Sequence, residues 1–166
     1  HLIDAISAWG NLKVVGRVHD WEYFEYLRVR AAGRPVEFVN NASDNDVVDL
    51  LSSAQVLVLP SVYEDFRGRY QRLPELVGLV LLEAMSCGTP VICTRTGGMP
   101  EIVREGMTGF IVEPSSSRAI AAVLAKLRDD PSIASSMGLA AREEVLNRFT
   151  WDAIARQCLT EYARDA

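Results

Sequence analysis

Two glutamates separated by a glycine are the residues of this chain best placed to do chemistry. Glu75 and Glu83 stand eight positions apart, with Gly78 between them at the head of an apolar run, Leu79-Val80-Leu81-Leu82. A helix starting near Gly78 points unpaired backbone N–H groups and the positive end of its dipole outward, which makes an anion site. A glycine there has no side chain to hold a phosphate away. At about 1.5 Å of helical rise per residue, the two carboxylates lie at most ~12 Å apart along the axis. That is too far for two carboxylates flanking one glycosidic bond. It suits two contacts on one elongated ligand. An acid, an anion cradle and a second acid in a row match a sugar, a diphosphate and a ribose.

The elements that must position these groups are a strand, a loop, a helix and a second strand. The apolar run Val56-Leu57-Val58-Leu59 ends at Pro60-Ser61, and a polar loop leads to Pro74. After the helix, Gly88 supplies the C-cap and Pro90 forbids continuation, so Val91-Ile92-Cys93 opens a new strand. The helix is apolar on nearly every side, and such a helix is normally buried. Glu83 within it then needs donors to offset its desolvation, or else it sits at a rim in solvent. Both readings stay open at this point.

The ordered combination of motifs resembles glycosyltransferase family 4. Glu75-x7-Glu83 with Gly78-Leu79-Val80 inside it looks like that family's E-x7-E signature. Glu83-Ala84-Met85-Ser86-Cys87-Gly88-Thr89-Pro90-Val91, Gly97-Gly98-Met99-Pro100-Glu101-Ile102-Val103 and Gly106-Met107-Thr108-Gly109-Phe110-Ile111-Val112 resemble it too, as does the lead-in Ala54 to Ser61. The resemblance implies a retaining, metal-independent transferase of the GT-B fold, two Rossmann-like halves facing across a cleft. Residues 1–166 are expected to be a single domain, the C-terminal half that binds a nucleotide-diphosphate sugar as donor, with no cofactor and no metal site.

The resemblance also implies roles. Glu75 lies beside the donor sugar, where it contacts hydroxyls and supports positive charge developing at the anomeric carbon. Glu83 accepts from the ribose hydroxyls. The N–H groups of Gly78, Leu79 and Val80 face the phosphates or the sugar. The strand end Phe38 to Ser43 matches the nucleobase position, through backbone contacts at Asn40 and Ala42. The family commonly has Gly where this chain has Asn40, and Asn tolerates a left-handed backbone. Gly16 and Arg17 stand at the carboxyl end of another strand, where open α/β sheets bind ligands.

Along the rest of the chain, strands at about 12–16, 36–39, 56–59, 91–93 and 110–112 alternate with helices. Alternation of this kind predicts a parallel sheet with right-handed crossovers and helices on both faces. Asp20, the Ser43-Asp44-Asn45-Asp46 stretch, one of Ser115, Ser116 or Ser117, and Thr150 are the expected N-caps. The chain starts inside a helix, Leu2 to Ile6, so the first strand of a doubly wound half is expected to be missing. The chain is accordingly read as truncated at its N-terminus, without the GT-B half that would face it. The C-terminal helix, 150–166, is expected to pack toward that half, leaving Trp151, Ile154 and Leu159 partly exposed without it. The fragment alone is expected to be inactive.

The stretch Val62 to Leu73 departs from simple family members, which pass almost directly from Pro-Ser to the first Glu. It carries Tyr63, Phe66, Tyr70, Arg67, Arg69 and Arg72 and must lie near the cleft mouth. A lid or acceptor-contact loop and a solvated, mobile loop are the two readings of it.

Composition narrows the alternatives. A length of 166 residues with 49% hydrophobic and 23% charged content fits one globular domain. The net charge of −5 argues against a nucleic-acid partner. No apolar run approaches the ~20 residues of a membrane span, and no signal peptide is visible. A cytoplasmic location is therefore expected, with any peripheral membrane association arising only through the absent half. Cys87, Cys93 and Cys158 lack metal-ligand spacing and read as small buried thiols. His1 and His19 carry no catalytic pattern, and no nucleophile elbow or dinucleotide fingerprint is present. The rival functions are a non-catalytic nucleotide- or sugar-binding module and another GT-B enzyme, such as a sugar epimerase or phosphorylase. The acceptor, whether glycan, lipid or small molecule, is not legible in the sequence.

Overall fold

A computed structural model describes residues 1–6 and 10–164. The elements follow in order: α1 (Leu2–Ala5), β1 (Leu12–Val15), α2 (Trp21–Ala31), β2 (Val36–Val39), α3 (Asp44–Ser53), β3 (Leu57–Leu59) and α4 (Leu79–Ser86). They continue with β4 (Val91–Thr94), α5 (Met99–Ile102), β5 (Gly109–Val112), α6 (Ser117–Asp129), α7 (Pro131–Arg148) and α8 (Trp151–Arg164). The expected caps form. Asp20 accepts from the Tyr23 N–H at 3.0 Å, Ser43 and Asp46 make a reciprocal capping box, and Ser116 accepts from Ala119. Thr150 accepts from Ala153 at 3.2 Å. Residues 165 and 166 of the expected last helix lie outside the described residues.

All strand pairs are parallel, β1 with β2 and β3–β4–β5 in that order. β4 is buried along its whole length and separates two cores. Val91 and Cys93 point into one, with Leu81, Ala84 and Met85 of α4 and Ala141 and Val145 of α7. Ile92 points into the other, with Ala5 of α1 and Ile120, Leu124 and Leu127 of α6. Alternate residues of one strand thus feed both faces, as the strand period of two requires. Helices do cover both sides of the sheet.

The two sheets share no ladder among the described residues. Between them lies a cavity of about 730 Å³ lined by consecutive residues of β1 and the Gly16 that follows it, and of β3 and the Pro60 that follows it. Side chains of a strand alternate faces, so consecutive lining means that the strands present their edges to the cavity. α8 leaves Trp151 87%, Leu159 68% and Ile154 38% exposed, as its apolar content without a covering surface suggested.

Candidate functional site

The amino end of α4 is built by a turn that only glycine fits. Gly78 is the N-cap, with φ of 80° and ψ of 54°, a left-handed conformation that costs other residues energy. A Cβ added there would stand 3.0 to 3.2 Å from Leu81, Met99 and Leu59 side chains. The missing side chain therefore lets α4 pack on β3 and α5. That corrects the expectation that it clears space for a phosphate. At the other end, the Gly88 N–H donates to Met85 and the Thr89 N–H to Ala84, the double bond of a Schellman stop.

Glu75 is half-buried, and its Oε1 accepts the Gly78 N–H at 3.0 Å. Its carboxylate thus sits at the start of α4 and already occupies one of the N–H groups assigned to the anion cradle. The Leu81 N–H turns back to the Gly78 carbonyl at 2.8 Å. Among the described residues the N–H groups of Leu79 and Val80 meet no backbone or side-chain acceptor. These two are the donors left for a ligand.

Glu83 is exposed, which settles the choice between a buried and a rim position. α4 is not buried all round: Leu81, Ala84 and Met85 are inside, whereas Leu79 is 65% exposed. Leu79 and Glu83 are four residues apart and share one helix face, turned away from the core. The helix begins only at Leu79, so Glu75 stands in the preceding loop and the axial separation inferred for eight helical residues does not apply.

The segment carrying Glu75 is held from behind by Gly97 and Gly98. The Gly98 N–H donates to the Leu76 carbonyl at 3.0 Å. A Cβ on Gly97 would fall 1.6 Å from the Glu75 carbonyl oxygen, and one on Gly98 would fall 2.4 Å from that of Leu76. Both glycines allow two backbones to touch. Below them, the fully buried Thr94 hydroxyl donates to the Ser61 carbonyl at 2.6 Å and meets Thr96 Oγ1 at 3.1 Å. Sequence reasoning used Gly97 and Gly98 as part of the family resemblance and missed this brace. Its only sequence signal is the paired glycine after a strand.

The insertion after β3 folds back on itself and packs on α2. Tyr63 and Tyr70 stack at 6.1 Å, Glu64 bridges Tyr70 in antiparallel fashion, and the Gln71 N–H donates to the Tyr63 carbonyl. These contacts make a hairpin with Gly68 at its tip. Phe66 lies 5.1 Å from Tyr23 and 5.2 Å from Tyr26 of α2, and Arg67 pairs with Asp20 and Glu22. The Arg67 guanidinium, with the Tyr23 N–H, holds the Asp20 carboxyl down at about 2. That contribution is complete above its ordinary value of 3.8 and is lost as pH falls through about 2.

The other predicted residues fall into two further places. Gly16 follows β1, donates to the Val39 carbonyl at 3.1 Å, has open space where a Cβ would be, and shares the 730 Å³ cavity with Val80. Arg17 beside it is exposed. Asn40 and Ala42 line a separate cleft of about 540 Å³ between the end of β2 and α3. Asn40 is not left-handed, because among the described residues Ser115 alone outside the glycines has a positive φ. Cys158 is exposed and Cys87 half-buried, so burial holds only for Cys93, whose thiol is pushed up to about 12 by desolvation and by Glu105. No cluster of three His, Cys, Asp or Glu able to hold a metal occurs among the described residues, and no described helix is long and apolar enough to cross a membrane.

Parallel sheets flanked by helices, with an acid-bounded helix start beyond the carboxyl end of β3, define a Rossmann-like α/β domain. Comparison with known proteins makes the class specific. The family model described as glycosyl transferases group 1 matches residues 10–144. Glycogen synthase of Mycobacterium tuberculosis is 33% identical over 140 residues, which is 84% of this chain and 31% of that protein. Alpha-maltose-1-phosphate synthase of Mycolicibacterium smegmatis is 38% identical over 122 residues, 70% of this chain and 29% of that one.

Among solved structures, sucrose-phosphate synthase from Thermosynechococcus elongatus superposes with a TM-score of 0.76 at 33% identity, covering 98% of this chain and 41% of that chain. Anabaena HepE, solved in complex with UDP-glucose, superposes at 0.78 over 98% of this chain and 44% of that chain; at 21% identity the likeness is one of fold. The chain belongs to the group 1 glycosyl transferases and has the fold found in their GT-B structures. It spans under a third of the length of these two curated relatives.

Proposed function

We propose that this chain is the donor-binding half of a retaining, metal-independent hexosyltransferase that moves a sugar from a nucleotide diphosphate to an acceptor. The observation that carries the reading is the amino end of α4, where Glu75, the unpaired N–H groups of Leu79 and Val80, and the exposed Glu83 follow one another. In this reading the Gly78 N–H orients the Glu75 carboxylate, whose charge favours the positive charge developing at the anomeric carbon. The Leu79 and Val80 N–H groups and the helix dipole receive the departing diphosphate. Glu83 takes the ribose hydroxyls, Arg17 and Gly16 the phosphate side, and the cleft at Asn40 and Ala42 the base. No cofactor enters.

The exposed apolar residues of α8 support a second half that covers them, and the chain alone is proposed to be inactive because one wall of the active cleft lies outside it. A cytoplasmic location belongs to the same proposal. Calorimetry of the whole protein with UDP-, GDP- and ADP-sugars tests it. One of them is expected to bind, and Glu83→Ala is expected to weaken it about tenfold, the equivalent of about 1.4 kcal/mol for a charge-assisted hydrogen-bond pair. Equal affinity in the variant contradicts the assignment of Glu83.

A further inference from the structure

The residues assigned to the donor are divided between two sheets that share no ladder among the described residues. Gly16 and Arg17 leave β1, whereas Glu75 to Val80 follow β3. One feature crosses from one sheet to the other at their carboxyl ends. The hairpin Tyr63 to Gln71 grows out of β3 and docks on α2, the helix that follows β1. We propose that Arg67 is a positioning residue, which fixes the width of the donor crevice by latching this hairpin to the amino end of α2.

The latch is a fork on two acids. Arg67 Nη1 donates to Asp20 Oδ2 at 2.9 Å, and Nη2 donates to Asp20 Oδ1 at 3.3 Å and to Glu22 Oε2. The guanidinium also lies over the Phe66 ring, 4.1 Å from its centroid. Its side chain is 26% exposed, while Glu22 is 71% exposed, so the cation is the sheltered member. The hairpin tip is itself fixed, because Asp65 accepts from the N–H groups of both Arg67 and Arg69.

Isolated exposed ion pairs add little stability. A planar fork on a carboxylate specifies geometry. Asp20, the cap of α2, stands four residues from Gly16, and the hairpin rejoins the main chain four residues before Glu75. The latch therefore ties the segment 16–20 to the segment 75–80 across the cavity that Gly16, Asp20, Arg67 and Val80 all line. The consequence for donor binding rests on the function proposed above. The mechanical claim does not.

The test compares Arg67→Ala, Arg67→Lys and Glu22→Gln in the whole protein by amide exchange and donor kinetics. Arg67→Ala is expected to speed exchange at 63–71 and also at 16–20, and to raise the donor KM about tenfold while kcat moves less than about threefold. Arg67→Lys should recover less than half of the lost affinity, because an ammonium cannot fork onto two acids. Glu22→Gln should move both readouts the same way by less. Faster exchange confined to 63–71, or an unchanged donor KM in Arg67→Ala, overturns the proposal. Should the unaltered protein bind no nucleotide sugar, the donor assignment fails, and exchange at 16–20 alone decides whether the latch exists.

Discussion

Glu75→Gln is expected to lower kcat of the whole enzyme by about 10²–10³ and to leave donor affinity within about threefold. Glutamine keeps an oxygen where Oε1 accepts the Gly78 N–H, so the loop ahead of α4 stays in place. The substitution removes only the negative charge, and that charge matters most as positive charge builds at the anomeric carbon. A loss that appears in KM with kcat intact would show that Glu75 binds the ground state and contributes nothing specific to the transition state. Steady-state kinetics with saturating donor separates the two outcomes.

Gly97→Ala is expected to be as damaging by a different route. The new Cβ falls 1.6 Å from the Glu75 carbonyl oxygen at a residue whose φ is 53°. Backbone lies on the other side of the clash, so no side chain can swing away. Either the 97–98 turn or the Glu75 segment must shift by more than an ångström, and displacement on that scale costs about 10² in rate. Stability should fall by about 1–3 kcal/mol, through strain and loss of the Gly98 to Leu76 hydrogen bond. Gly106→Ala is the control: its φ is 73°, yet nothing lies within 4 Å of the added atom. It should lose about 1 kcal/mol for the backbone alone and keep its activity. Equal kcat in Gly97→Ala and Gly106→Ala would remove the brace from the account.

The alternation of strands and helices was legible because several helices bring their own start or stop. Asp20, Ser43, Thr150 and Gly88 act within a few residues of themselves. The exposure of Glu83 was not legible. Composition alone makes α4 look buried on all sides, and only packing shows that Leu79 and Glu83 lie on the face away from Leu81, Ala84 and Met85. The brace at Gly97 joins segments more than twenty positions apart, and backbone-to-backbone contact leaves no residue pattern beyond the glycines that permit it. The docking of the hairpin was hidden for the same reason. Its partners, Asp20, Glu22, Tyr23 and Tyr26, read locally as a cap and an ordinary surface helix.

The donor-binding claim is tested most directly by following the backbone amides of Leu79 and Val80 by NMR while the matching nucleotide sugar is titrated into the whole protein. If that helix start receives the diphosphate, both resonances shift at the same saturating concentration as those of Gly16 and Ala42. Binding that shifts Gly16 and Ala42 and leaves Leu79 and Val80 unmoved would contradict it.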